Sequence, residues 1–281
     1  MSNTIPQLKD GAQTVFFKAG GEWCYLRTPS AYKGNGEPIP CVIQCHGNSG
    51  YVTDNDYAIS TADTPDEEGK SIFIRTLVDS GMAVAGSHAS GSAWGRPDAV
   101  AAYATLFEAL VKEVNVDPTR MGMLGGGLGG SALWSAVTGP LLGRVRAVGL
   151  QQATLSFESV IRDHKFKKDM LGAWGIPENT EDDVAVASLA NNDPLNRTRL
   201  LIAERGAAEV AKSLPEVRFF HGDQDENMLY QENPVALSEV LRECGARFSF
   251  KTYEGVGHAT YAMGEPVARD IASYFKQAFS L

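Results

Sequence analysis

Residues 120–131, RMGML (Arg120–Leu124) followed by Gly125-Gly126-Gly127-Leu128-Gly129-Gly130-Ser131, decide the fold. The first half is a short unbroken apolar run of strand type, and helical sequence resumes near Ser131. A strand that turns directly into a helix through glycines makes a sharp elbow, because only residues without Cβ fit where chains pass close together. A glycine cluster of this kind also suits a phosphate-cradling turn, and six residues alone do not separate the two readings.

Working outward, similar runs occur at Cys41–Cys45 (CVIQC), Met82–Gly86 (MAVAG), Val145–Leu150 (VRAVGL), Val217–His221 (VRFFH) and Phe248–Tyr253 (FSFKTY). Thr14–Arg27 reads as a hairpin around Gly20-Gly21. Helices are expected over Ser71–Ser80, stopped by Gly81, and over Pro97–Val114, which carries Val100, Tyr103, Phe107, Leu110, Val111 and Val114 at 3.6-residue spacing. A return helix is expected over Arg197–Lys212, and a last one opens at Pro266 and buries Val267, Ile271, Tyr274, Phe275 and Ala278. Strands alternating with helices imply βαβ units. The expected architecture is therefore α/β: one domain over residues 1–281, with a mainly parallel sheet of about eight strands and helices on both faces. Sequence between Ala153 and Lys212 exceeds a simple crossover, so residues 154–196, centred on Phe157–Leu189, are expected to form a small helical cap.

Composition narrows the class. The chain is 43% hydrophobic and 21% charged, ordinary for a globular protein, and its net charge of −9 argues against nucleic acid or an anionic membrane as partner. Cys24, Cys41, Cys45 and Cys244 form no CxxC pair and no zinc-type spacing. The start MSNTIPQLKDG has no secretory signal, and no run of 18 apolar residues occurs, so the expected location is a reducing cytoplasm. A homo-oligomer is neither required nor excluded.

Ligands of such sheets collect at the carboxyl ends of the strands. CVIQC leads into His46-Gly47-Asn48-Ser49-Gly50, VRFFH into His221-Gly222-Asp223-Gln224-Asp225, and FSFKTY into Glu254-Gly255-Val256-Gly257-His258. The glycine elbow matches G-x-S-x-G-G at every position except the serine, which is Gly127. An acid and then a histidine follow the last two strands, in the order nucleophile, acid, histidine.

Jointly these segments resemble the α/β-hydrolase superfamily over roughly residues 14–279. Ser92-Ala93-Trp94-Gly95 before a helix resembles its bacterial serine esterase and peptidase-like subgroup. The resemblance implies cleavage of a small-molecule carboxylic ester, or an amide, through an acyl-enzyme, with no cofactor and no metal. Gly127 stands in the nucleophile position, Asp225 is the acid with Asp223 its competitor, and His258 is the general base. By the same resemblance the backbone N–H groups of Asn48 and Leu128 are expected to form the oxyanion hole, and His46 and His221 to be structural. Gly47, Tyr51, Trp94 and Trp174 are expected to contact substrate, with core packing the alternative for Tyr51 and Trp94; His88 is expected to be structural or to line the pocket, and His164 to be solvated. A metal site built from His46, His221, His258 and Asp225 is conceivable, but the triad explains the same residues.

Three readings of Gly127 follow. The glycine replaces a nucleophilic serine and leaves an inactivated variant, or the protein is a natural pseudoenzyme that binds a small ligand, or Ser131 one turn later is the nucleophile. A dehalogenase would carry Asp at the elbow, and a dienelactone-type hydrolase Cys.

Overall fold

Gln13–Ala19 (β1) and Glu22–Thr28 (β2) pair antiparallel across Gly20-Gly21, whose φ values of 60° and 93° close a two-residue hairpin turn. The computed structural model describes residues 4–59, 72–258 and 260–281; the expected helix start at Ser71 falls outside them. Ile39–Cys45 (β3) is buried along nearly its whole length, as a central parallel strand must be. It is followed by a small hairpin, Tyr51–Val52 (β4) with Tyr57–Ala58 (β5). Then come Ile72–Asp79 (α1), Ala83–Ser87 (β6), Pro97–Glu113 (α2, with proline in its first turn), Val116–Gly126 (β7) and Leu128–Val137 (α3). Ala147–Gln151 (β8) precedes three short helices, Phe157–Asp163 (α4), Lys167–Ala173 (α5) and Asp182–Leu189 (α6). The chain closes with Pro194–Arg205 (α7), Ala207–Ser213 (α8), Glu216–Gly222 (β9), Ala236–Cys244 (α9), Phe248–Tyr253 (β10) and Glu265–Phe279 (α10).

Eight strands form one sheet in the order β1-β2-β6-β3-β7-β8-β9-β10. The six from β6 to β10 run parallel, with β1 and β2 as an antiparallel edge. One face is covered by a core that includes Tyr103, Phe107, Trp134, Leu237 and Leu241; the other is covered by α1 and α10 through Ile74, Leu77, Ile271 and Phe275. The mainly parallel sheet covered on both faces is the architecture read from the sequence.

The local differences have local causes. The return helix is two helices, because Gly206 at φ 83°, ψ 145° leaves helical space between Arg205 and Ala207. α3 starts at Leu128, three residues before the expected Ser131, since the glycines themselves make its first turn. The β4–β5 hairpin and α9 lie outside the sequence expectation, although Leu237, Val240, Leu241 and Cys244 give α9 a plain apolar stripe ended by Gly245 in the left-handed region. Among the described residues no helix is long and apolar enough to cross a membrane.

α4, α5 and α6 stand between β8 and α7 and pack as their own cluster with Trp94, Leu128 and Met228. A single carboxylate pins both ends of this excursion. Asp193 accepts the N–H of Asn196 at 2.8 Å as the cap of α7, and its other oxygen accepts the N–H of Phe157 at the start of α4. Asp193→Ala is expected to lower stability by about 2 kcal/mol, since it removes a helix cap and leaves the buried Phe157 N–H unpaired; chemical denaturation measures it.

Candidate active site

The elbow is assembled by packing that excludes side chains at two of its glycines and crowds a third. A Cβ on Gly129 would come within 2.3 Å of the His46 carbonyl oxygen, and one on Gly130 within 2.3 Å of Ala153 Cβ. At Gly125 it would meet Gly129 and Leu133 at 3.0 Å. Position 127 differs: its Cβ would touch nothing within 4 Å, while φ 50° and ψ −129° hold it in a conformation that side chains rarely adopt. The Gly127 N–H donates to Gln151 O at 3.2 Å, and its carbonyl accepts from the N–H of Thr154 and Gly130. Gly129→Ala is expected to cost about 3 kcal/mol through overpacking, whereas Gly172→Ala in α5, where the added methyl meets nothing, should gain about 0.5–1 kcal/mol. Thermal unfolding of the pair checks the contrast.

The close approach of Gly129 to His46 and Cys45 lays the loop carrying Gly47 and Asn48 against the first turn of α3. There the N–H groups of a helix start, Leu128 first, lack intrahelical partners and carry the positive end of the dipole. His46 is buried and locked, Nδ1 against Gly47 O at 3.0 Å and Nε2 against His88 O at 2.8 Å; burial pushes its pKa down. Ser92 Oγ donates to Asn48 Oδ1 at 3.1 Å and accepts the Ser49 N–H at 3.0 Å. The residue-88 loop is strained: Ala89, Ser90 and Trp94 all have positive φ, beside Gly91 and Gly95.

Asp225 and His258 meet across the ends of β9 and β10. His258 Nδ1 lies 3.0 and 2.9 Å from the two carboxylate oxygens, which fixes the tautomer: Nδ1–H donates to Asp225, and Nε2 keeps its lone pair. The Asp225 carboxylate is buried, and Oδ1 also accepts the N–H groups of Asn227 and Met228 at 2.9 Å. His221 Nε2 lies 3.0 Å from Oδ2 and 2.9 Å from Met228 O. Burial alone would raise the acid's pKa, but the hydrogen bonds from His221, His258 and Met228 outweigh it and hold the carboxyl well below the usual range. Asp223, the competing acid, instead accepts the Gly255 N–H at 2.7 Å.

The loop carrying His258 is tied to the elbow through β8. Gln152 Nε2 donates to the His258 carbonyl and its Oε1 accepts from Thr260 Oγ1, while neighbouring Gln151 O holds the Gly127 N–H. Gln152 itself sits at φ 47°. Sequence reasoning missed Gln152, Thr260 and Met228, and quoted Ser92 only as part of a motif without its bond to Asn48; a glutamine pair ending an otherwise apolar strand was the available signal for the first.

Ser131 is fully buried and its hydroxyl donates to Leu128 O at 2.7 Å, pointing back into the helix, so it is packed as a helix residue and not aimed as a nucleophile. Trp94 and Trp174 come together in one cluster with Leu128: Trp174 Nε1 donates to Trp94 O at 3.3 Å, and Phe157, Phe166 and Met170 are among its other members. Tyr51 lies on β4, its hydroxyl donating to Asp56 at 2.7 Å. His88 Nδ1 accepts the Val52 N–H at 3.4 Å, and exposed His164 meets Asp182 at 3.0 Å. Among the described residues no group of three or more His, Cys, Asp or Glu is arranged to hold a metal ion.

Residues 75–281 match the model of the prolyl oligopeptidase family. Among solved structures, a puromycin-hydrolyzing peptidase of Mycobacterium tuberculosis superposes with a TM-score of 0.69 at 14% identity, over 95% of this chain and 39% of that one. An acylaminoacyl peptidase of Pyrococcus horikoshii gives 0.64 at 15% identity, over 96% of this chain and 41% of that one. A truncated carbohydrate esterase from gut microbiota gives 0.67 at 16% identity, over 92% of this chain and 91% of that one. The chain thus spans about two-fifths of the length of the two peptidases. These likenesses share one fold, that of the α/β-hydrolases. No curated protein matches the sequence significantly.

Proposed function

The chain belongs to the prolyl oligopeptidase family, a family of serine hydrolases, and from that premise we propose that it carries an acyl-transfer site for a carboxylic ester or amide of a small molecule, with the nucleophile missing. The carrying observation is a complete acid–histidine pair beside an elbow whose central residue, Gly127, has the positive-φ backbone and the free space of a nucleophile position.

With a serine at 127, His258 Nε2 takes the hydroxyl proton as oxygen attacks the carbonyl carbon. The N–H groups of Leu128 and Asn48 receive the oxyanion, each worth about 3–4 kcal/mol in the transition state. His258 then returns the proton to the departing alcohol or amine, and Asp225 holds the imidazole and stabilises its cation. With glycine there is no oxygen to acylate, so the cycle stops at binding, apart from slow attack by a water that His258 activates. Peptidases and an esterase among the structural neighbours agree with an ester or amide as the bond acted on.

Labelling tests the reading. Gly127→Ser should react with a serine-directed phosphonate and hydrolyse short activated acyl esters; a folded Gly127→Ser protein that does neither ends the proposal. A natural pseudoenzyme is the second reading, favoured by one observation: glycine occupies φ 50° without strain. Saturable binding of uncleaved acyl ligand by a folded, unreactive Gly127→Ser protein would establish it.

The cap is assigned to substrate choice. Trp174→Ala in the serine-bearing protein should shift preference among acyl chain lengths by about 1–3 kcal/mol in kcat/KM. An unchanged chain-length profile removes Trp174 from the acyl pocket.

A further inference from the structure

Opposite the elbow, at the amino-terminal edge of the sheet, three separate loops bring four cations around one cleft. Arg144 and Arg146 precede β8, Lys212 lies at the end of α8 before β9, and Arg247 precedes β10. The cleft encloses about 460 Å³, and no acidic side chain among the described residues lines it. This runs against the composition, since the chain has 34 acidic and 25 basic residues.

The cations are not consumed by the fold to the same degree. Arg144 lies over the Phe107 ring at 4.7 Å and is paired with Glu108. Arg146 spends only its Nε, on the Ala278 carbonyl at 3.3 Å. Lys212 and Arg247 make no side-chain hydrogen bond or ion pair with any described residue. Two arginine forks and one ammonium are thus left for a ligand. Mutually repelling cations gathered on a concave surface lower the energy of a bound anion that bridges them.

We propose that this cleft binds a small phosphate-bearing anion, of the size and charge of a diphosphate group. Guanidinium forks match phosphate oxygens two at a time, and a phosphate pair presents enough acceptors for all three free cations. Size excludes the larger polyanions. A nucleic acid or an anionic membrane extends beyond the cleft and meets the field of a chain with net charge −9, whereas a small anion feels only charges within a Debye length of about 8–10 Å. The ligand is not the acyl substrate. Thr119 on the cleft wall and Gly127 at the elbow are eight residues apart along an extended strand, roughly 26 Å.

Calorimetric titration of pyrophosphate into the protein at low ionic strength, against sodium chloride at matched ionic strength, tests this. The expected result is saturable one-to-one binding with a Kd below about 1 mM, weakened at least tenfold in Arg146→Gln/Arg247→Gln. Lys168→Gln, which removes a cation on α5 in the cap, should leave the Kd unchanged. Both arginines are exposed, and a melting temperature confirms that the double variant is folded. ADP binding more tightly than pyrophosphate identifies an organic phosphate as occupant, and equal affinities identify the diphosphate alone. Absence of saturable binding, equal binding by the double variant, or citrate binding as tightly as pyrophosphate overturns the proposal. The titration uses the chain with Gly127 in place, so its outcome is independent of the hydrolase reading.

Discussion

Gly127→Ser is expected to raise turnover of an activated short-chain ester by about 10³-fold or more. In a serine hydrolase, loss of the nucleophile alone removes on the order of 10⁶ in kcat, and the residual 10³–10⁴ over water comes from the oxyanion hole and binding. On the proposed reading the present chain retains the oxyanion and binding groups that give the residual, and the added hydroxyl supplies the remainder. Strain opposes it. A side chain at φ 50°, ψ −129° costs about 1–3 kcal/mol, and the serine variant should be less stable by that amount. Gly127→Ala separates the two effects, because it carries the same backbone strain and no hydroxyl. Steady-state kinetics with p-nitrophenyl esters, read beside denaturant midpoints, should show equal destabilisation and unequal activity. Equal activity of the serine and alanine variants would refute the assignment.

Asp225→Asn in the serine-bearing protein is expected to lower kcat by about 10⁴ with KM little changed. An amide can face His258 Nδ1 with its own N–H and so select the wrong tautomer, as known for the triad. Asp223→Asn, which weakens only a hydrogen bond to the Gly255 N–H, should cost less than about tenfold. Reversed effects would move the acid to Asp223. The same carboxylate predicts a pH signature. Its pKa is lower in the folded than in the unfolded chain, so its stabilisation is fully present above about pH 4 and disappears as pH falls through the folded value. Asp225→Asn should therefore flatten the acid limb of the stability curve.

The sheet was legible because its central strands are buried on both faces, and continuous runs such as CVIQC and VRFFH have no other stable placement. Boundaries were less legible. Gly206 divides the return helix and the elbow glycines start α3 early, since a glycine's conformation is set by neighbours distant in sequence. The segments gathered at the site could be read from chain order, but their supports could not. Asp225 and His258 are 33 residues apart, and the contacts that hold them come from His221, Met228 and Gln152, whose roles exist only in three dimensions. The basic cleft was invisible for the same reason. Its cations are scattered over about a hundred residues and converge only when β8, β9 and β10 align.

The packing around Asp225 and Gly127 also implies an order in which the proposed site would decay under mutation. Asp225 is a keystone: four groups donate to or pair with its carboxylate, and Gly222 beside it leaves no room for a methyl against Val256 and Gly257. Drift at the acid therefore damages the whole protein and is removed whether or not catalysis is under selection. Position 127 is the reverse: its side chain would touch nothing, and a glycine there relaxes the backbone. A lineage freed from the need to hydrolyse would shed its nucleophile first and keep acid and histidine long afterwards, as passengers of the fold.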